Sequence, residues 1–274
     1  MKHLLPENDR VSLVLDESGV AHVRLTRPDK LNALDSAMTN ALIDAGKALF
    51  DMPGLRCVVL AGEGKGFCAG LDFTLLASAA IGDAHLLVER THGNSNRFQQ
   101  LAMQWRKLPV PVIAAVHGVC FGAGLQIAGG ADIRIAAPDA QLAIMEMRWG
   151  LIPDMGGFAL WRGAVREDVL RELTYTNRVF SGEDARQFGF ATYVDEAPLA
   201  RAKAIALEIA SRSPTAIRAA KSLFNRHHDL GTDAILLEES IAQQQLLGTK
   251  NQMEAVHSQM ERRKPEFGTE FGKP

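Results

Sequence analysis

Between Leu108 and Ile133 the chain carries only three strongly polar side chains, His117, Gln126 and Asp132. A stretch this long and apolar either crosses a membrane or lies at the centre of a large core, since a spanning helix needs about 20 apolar residues. Pro109 and Pro111 stand at its start, and glycines occupy positions 118, 122, 124, 129 and 130 within it. Such residues interrupt a lipid-facing helix, in which every backbone group must bond inside the segment. The spacing therefore predicts a buried strand, "VPVIAAV", followed by a short buried helix, "LQIAGGA", and no membrane partner.

Burying that stretch takes a sizeable interior. The chain has 274 residues, 47% hydrophobic and 23% charged, enough for one large α/β core with a helical extension. A net charge of −2 offers no basic surface to neutralise phosphates, which argues against a nucleic-acid partner. Cys57, Cys68 and Cys120 show no CxxC spacing and fit a reducing compartment better than a disulfide framework. His227 and His228 are adjacent, so on a helix they diverge by about 100° instead of sharing a ligand face, and no metal is expected. The opening "MKHLLPENDR" meets charge and proline before any secretory apolar segment, making the cytoplasm the expected location.

Strand and helix signals alternate along the first two thirds of the chain. Residues 11–15 and 20–25 alternate as a strand hairpin should, and "LDSAMTNALIDAGKALFDM" has helical spacing with Asp35 or Ser36 as N-cap. "CVVLAG" reads as a buried strand, "GEGKGFCAG" as a loop, residues 83–107 as a helical region, and "DIRIAA" and "QLAIM" as further strands. That order is the pattern of a parallel α/β core. After "FATYVDEAP" only helices are predicted, over 199–211, 214–226, 232–247 and 251–263, placing a boundary near residue 196 between a core of 1–195 and a helical region of 196–274.

The glycine loops fail two familiar nucleotide-binding tests. Lys65 is followed by Gly66 where a Walker loop needs serine or threonine, and a dinucleotide fingerprint begun at Gly122 meets Ile127 at its third small position. "GVCFG" does match a nucleophile elbow with Cys120 as the nucleophile; the alternative is a small buried hydrophobe, the commoner fate of a free cysteine.

Six segments in order, "RPDKLNAL" (27–34), "GKGFCAGLD" (64–72), "PVIAAVHGVCFGAGLQIAGGADIRIAA" (111–137), "GLIPDMGG" (150–157), "SGEDARQFGFATYV" (181–194) and "MERRKPEF" (260–267), resemble the crotonase superfamily, the enoyl-CoA hydratase/isomerase family. The resemblance covers nearly the whole chain. It implies an α/β spiral of ββα units with a C-terminal helical trimerisation region, a homotrimer or a dimer of trimers, and an acyl-CoA thioester as ligand. Coenzyme A would arrive as part of the substrate, with no separate cofactor.

By the same resemblance, the backbone N–H groups of Leu71 and Ala123 form an oxyanion hole for the thioester oxygen. Ala123 replaces the glycine common at that position. A preorganised donor of this kind is worth ~3 kcal/mol to an enolate-like transition state. Ala69, Asp72, Lys30 and Gln126 are the implied substrate-binding residues; Lys30 and Arg27 either meet the CoA phosphates or are simply solvated, and Lys221 with Phe224 is a candidate for a neighbouring subunit's CoA. Trp149, Phe158 and Trp161 either line an acyl pocket or belong to the core.

The family's hydratases hold a water between two glutamates; here the first position is Gln126 and the second Glu146. An amide has no carboxylate with which to exchange a proton at neutral pH. Asp154 matches an aspartate of the family's dienoyl-CoA isomerases, which also carry an acid at the position of Gln126; the alternative role of Asp154 is a turn or helix cap after Pro153. The expected activity is therefore a double-bond shift in an enoyl- or dienoyl-CoA, with Glu146 and Asp154 as catalytic acids. Hydration of a 2-enoyl-CoA is the alternative, and acyl-CoA binding without catalysis a further one.

Overall fold

The computed structural model describes residues 2–3, 9–72 and 87–268. The alternating apolar residues near the N-terminus form the antiparallel hairpin β2 (Val11–Leu15) and β3 (Val20–Leu25), with β1 (Lys2–His3) paired outside β2. Next comes α1 (Ser36–Phe50), whose N-cap Asp35 accepts a hydrogen bond from the Met38 N–H at 2.7 Å. A repeated strand–strand–helix passage follows. It runs first through β4 (Cys57–Gly62), β5 (Gly66–Cys68) and α2 (Arg97–Lys107). It then runs through β6 (Val112–Val116), β7 (Val119–Phe121) and α3 (Ala123–Gly129), and again through β8 (Ile133–Ala136) and β9 (Gln141–Ala143) to the helices α4 (Gly157–Trp161) and α5 (Glu167–Thr176). The strand β10 (Phe180–Ser181), the helix α6 (Gly182–Phe188) and the strand β11 (Tyr193–Val194) end the spiral.

The first strand of each passage joins a seven-stranded sheet of order β1-β2-β3-β4-β6-β8-β11, parallel from β3 onward. The second strand joins a four-stranded sheet of order β10-β9-β7-β5. This is the α/β spiral of ββα units that the resemblance implies, and no helix is long and apolar enough to cross a membrane among the described residues.

Two expectations need correction. "GEGKGFCAG" is not a loop throughout, because Gly66–Cys68 pairs with Val119–Phe121 as a strand. Three residues flanked by glycine carry no visible alternation, so tertiary pairing alone reveals it. The helix expected over 83–107 starts only at Arg97, where Asn96 and Gln99 form a capping box; 87–96 is irregular, and 83–86 lie outside the described residues.

The continuous apolar runs of β4 and β6 reflect burial on both faces of the large sheet. Val58 and Leu60 point into the main core with Leu42, Trp105 and Leu125, whereas Cys57, Val59 and Ala61 point the other way. Covering that second face is α7 (Pro198–Ala210), through Ala202 and Ala206. The helix just past residue 196 thus helps to close the sheet. Beyond it come α8 (Pro214–Arg226), α9 (Thr232–Leu246) and α10 (Lys250–Met260).

Lys221 of α8 does not face outward toward a neighbour's CoA. It is buried, with Nζ donating to Val110 O at 2.7 Å, Trp105 O at 3.1 Å and Asp132 Oδ2 at 2.8 Å, and so ties α8 to the start of the apolar run. Phe224, one turn on, is exposed.

Candidate active site

The small residues of the two glycine loops let their backbones meet. Leu34 and Leu71 form an isolated bridge, with the Leu34 N–H donating to Gly70 O at 2.8 Å and the Asp72 N–H to Leu34 O at 2.9 Å. Parallel pairing of this kind turns the intervening Leu71 N–H away from Leu34. Gly70 has φ +98°, and a Cβ there would stand 3.0 Å from the Phe121 carbonyl and 3.7 Å from Ala123 N. Across the gap, Ala123 is the first residue of α3, whose opening N–H groups have no partner within the helix. Among the described residues neither the Leu71 nor the Ala123 N–H has an acceptor. The two donors stand on adjoining loops of one cavity.

That cavity has a volume of about 550 Å³, and all eight candidate residues line it: Lys30, Ala69, Leu71, Asp72, Ala123, Gln126, Glu146 and Asp154. Asp72 is held in an ion pair with Arg27, whose Nη1 donates to Asp72 Oδ2 at 2.7 Å and to Ala33 O at 3.0 Å. Arg27 is therefore occupied in bracing the loop and is not set out for a phosphate. Lys30 ends a 3-10 turn, Pro28–Lys30, and remains exposed at the rim.

Gln126 lies in the interior of α3 and is fully buried. Its Oε1 accepts from the Met155 N–H at 2.8 Å and the Gly157 N–H at 3.0 Å. Its Nε2 donates to Glu146 Oε1 at 2.6 Å. Both ends of the amide are thus engaged by protein. Glu146 opens the 3-10 turn Glu146–Trp149 directly after β9 and its following residues, which delivers its carboxylate beside Gly122. The second oxygen, Oε2, is buried and has no hydrogen-bond partner among the described residues. Burial is the main cause that pushes the Glu146 carboxyl above the usual glutamate range; its own backbone N–H and then the Gln126 N–H work against this, and the negative charge of Asp154 adds to it.

Asp154 is exposed at its outer edge but packed among the cavity walls, and this partial burial raises its carboxyl as well. It does not cap the helix that follows. The N-cap of α4 is Gly156, and no side chain bonds there. Two carboxyl groups with raised affinity for protons consequently share one cavity.

Other candidates separate cleanly. Trp149 lines the cavity, together with Met145, Leu151, Ile152 and Met155. Phe158 is exposed elsewhere, while Trp161 is buried and packs edge-on against Phe190 with ring centroids 5.5 Å apart. Cys120 sits in the middle of β7, fully buried, and burial raises its thiol well above the ordinary range. A nucleophile elbow needs its thiol at an exposed corner, so the cysteine hydrolase alternative has no support in this geometry.

Sequence reasoning missed two bracing elements. The Met155 and Gly157 N–H groups that fix Gln126 left no signal beyond the turn residues of "PDMGG". Asn32 is buried in the left-handed region with φ 56°, accepts from the Arg27 N–H and donates to Glu63 O and Gly66 O, each at 2.9 Å. It joins the first motif to the second, and a buried asparagine in "KLNAL" was the available clue.

Comparison with known proteins agrees with this architecture. The enoyl-CoA hydratase/isomerase family model matches residues 16–270. The mitochondrial Delta(3,5)-Delta(2,4)-dienoyl-CoA isomerase of Dictyostelium discoideum is 29% identical over 92% of this chain and 88% of its own length. The mitochondrial enoyl-CoA hydratase domain-containing protein 2 of Bos taurus is 28% identical over 91% of this chain and 84% of its own. A crystal structure of enoyl-CoA hydratase from Mycobacterium smegmatis superposes with a TM-score of 0.80, 29% identity, and coverage of 93% of this chain and 98% of that one. A family match along almost the full length, carried by the same spiral of sheets, means that this chain belongs to the enoyl-CoA hydratase/isomerase (crotonase) family.

Proposed function

We propose that the protein is an acyl-CoA isomerase that shifts a carbon–carbon double bond in an enoyl- or dienoyl-CoA. The observation that carries this reading is the pair of acids lining one cavity, Glu146 with one uncommitted oxygen and Asp154, while the amide at 126 weighs against the two-carboxylate route of hydration. The thioester oxygen is bound between the Leu71 and Ala123 N–H groups. Glu146 Oε2 takes a proton from the acyl chain, and the C–H electron pair moves into the conjugated system to form an enolate. Charge gathers on the oxygen held by the two N–H groups, each worth ~3 kcal/mol at that stage. A proton is returned at a different carbon, either the one Glu146 took or one from an Asp154 that starts protonated, in which case Glu146 passes its proton back to Asp154 through solvent, so no atom is gained or lost. Raised carboxyl affinities move both acids toward the range in which proton transfer is efficient. Trp149, Leu151 and Ile152 offer the acyl chain an apolar wall.

The test is incubation with 2-enoyl-, 3-enoyl- and 3,5-dienoyl-CoA in deuterated water, with products separated and weighed by mass spectrometry. A shifted double bond with no added water is expected. A 3-hydroxyacyl product would establish hydration in its place, and tight binding without deuterium exchange would reduce the protein to an acyl-CoA carrier.

A further inference from the structure

We infer that Gln126 is a positioning residue that makes Glu146 a one-oxygen base: its amide holds Oε1, leaves Oε2 as the only oxygen open to a proton, and fixes the turn that carries Asp154. The inference rests on the reading of Glu146 as the base and deepens it. The orientation of the amide is not open to choice. Its oxygen is the end that accepts the Met155 and Gly157 N–H groups, at 2.8 and 3.0 Å, and so the nitrogen must face Glu146 at 2.6 Å.

An acid at this position would satisfy the two N–H groups equally well but would set a second carboxylate 2.6 Å from the first. Like charges so close cannot both ionise, and the pair would share one proton. The Met155 and Gly157 N–H groups would keep the negative charge on the residue at 126, and the shared proton would therefore reside on Glu146. Glu146 would then titrate as one half of a coupled pair and give up its proton only at higher pH. Gln126 avoids this while still supplying a hydrogen bond that favours the ionised form of Glu146.

The second part of the inference follows from chain neighbours. Met155 directly follows Asp154, and Gly157 begins α4, so one amide ties the base to the turn that carries the second acid. A displaced amide would move both acids relative to the oxyanion donors. Buried as it is, Gln126 depends on these partners to satisfy its amide.

Two variants of the full-length protein separate positioning from simple bracing. Q126M keeps side-chain length and removes both amide functions. Q126E is isosteric and keeps the acceptors for Met155 and Gly157, so it protects the test against misfolding of the first. Steady-state kcat and KM are measured against pH with the ester the native enzyme isomerises. Infrared difference spectra, with E146Q as blank, follow the Glu146 carboxyl directly and need no turnover.

Q126M is expected to move the rising limb of kcat, and the infrared titration, upward by about one pH unit with little change in KM. Q126E is expected to move both further, since the introduced carboxylate retains the charge. Loss of kcat and thermal stability with limb and infrared titration unmoved would overturn the inference and leave Gln126 as a brace. Should the native protein isomerise none of the esters, the functional reading falls, while the infrared titration still decides whether Gln126 controls Glu146.

Discussion

At Glu146 the needs of stability and of chemistry oppose each other. A carboxyl whose folded-state affinity for protons is raised by burial stabilises the fold while protonated, and that contribution is lost as pH rises from the unfolded-state value through the folded one. E146Q removes the ionisation but keeps an acceptor for the Gln126 N–H. It is expected to lower turnover by about 10²–10⁴-fold and to melt higher than the native protein at pH 7–8, the difference vanishing in acid; calorimetry across pH checks the sign. D154N acts on the pH dependence. Removing a negative neighbour favours ionised Glu146, so the rising limb of its pH–rate profile is expected to move to lower pH, which stopped-assay kinetics would show. The residue types at 126, 146 and 154 were legible in the sequence, but their hydrogen bonds were not. Gln126 meets Met155 and Gly157 across separations of 29 and 31 residues, and no periodicity encodes such a contact.

At the scale of elements, the site depends on how α3 seats against β5. A Cβ at Gly124 would collide with the carbonyl and the side chain of Cys68, so a glycine here sets the distance between the Ala123 and Leu71 loops. G124A must push α3 outward. Overpacking of this kind costs about 1–3 kcal/mol, and because the shift falls on one oxyanion donor, kcat is expected to fall by at least about tenfold with a smaller change in KM. Chemical denaturation and initial rates on the same preparation test the pairing of the two effects. The long strands and capped helices were readable because each has its own signal: alternation in Val20–Leu25, an Asp35 cap before Ser36–Phe50, apolar β-branched runs in β4 and β6. The strands of the small sheet were not all readable. β5 and β7 are three-residue strands set among the glycines at 66, 70, 118 and 122, which hide any pattern, and they exist because the passages of the spiral stack them side by side.

Among the described residues, one α-helix has no interior of its own. α9 (Thr232–Leu246) has no buried residue, yet Leu237 and Ile241, one turn apart, are exposed with Leu236 beside them. A helix of this length is marginal in water unless an apolar face is covered. The core cannot cover it, since α7 already closes the outer face of the large sheet. The family resemblance implies a trimer, and a second and third copy of the chain would supply the missing cover. Sedimentation equilibrium is then expected to return three times the 29.8 kDa of one chain, or six times if trimers pair. Replacing Leu237 and Ile241 together by glutamate places charge where apolar contact is required, and the expected product is a monomer with reduced helicity in circular dichroism. A monomeric native protein with α9 fully helical would show that α9 needs no partner, and would confine the resemblance to the fold of the single chain.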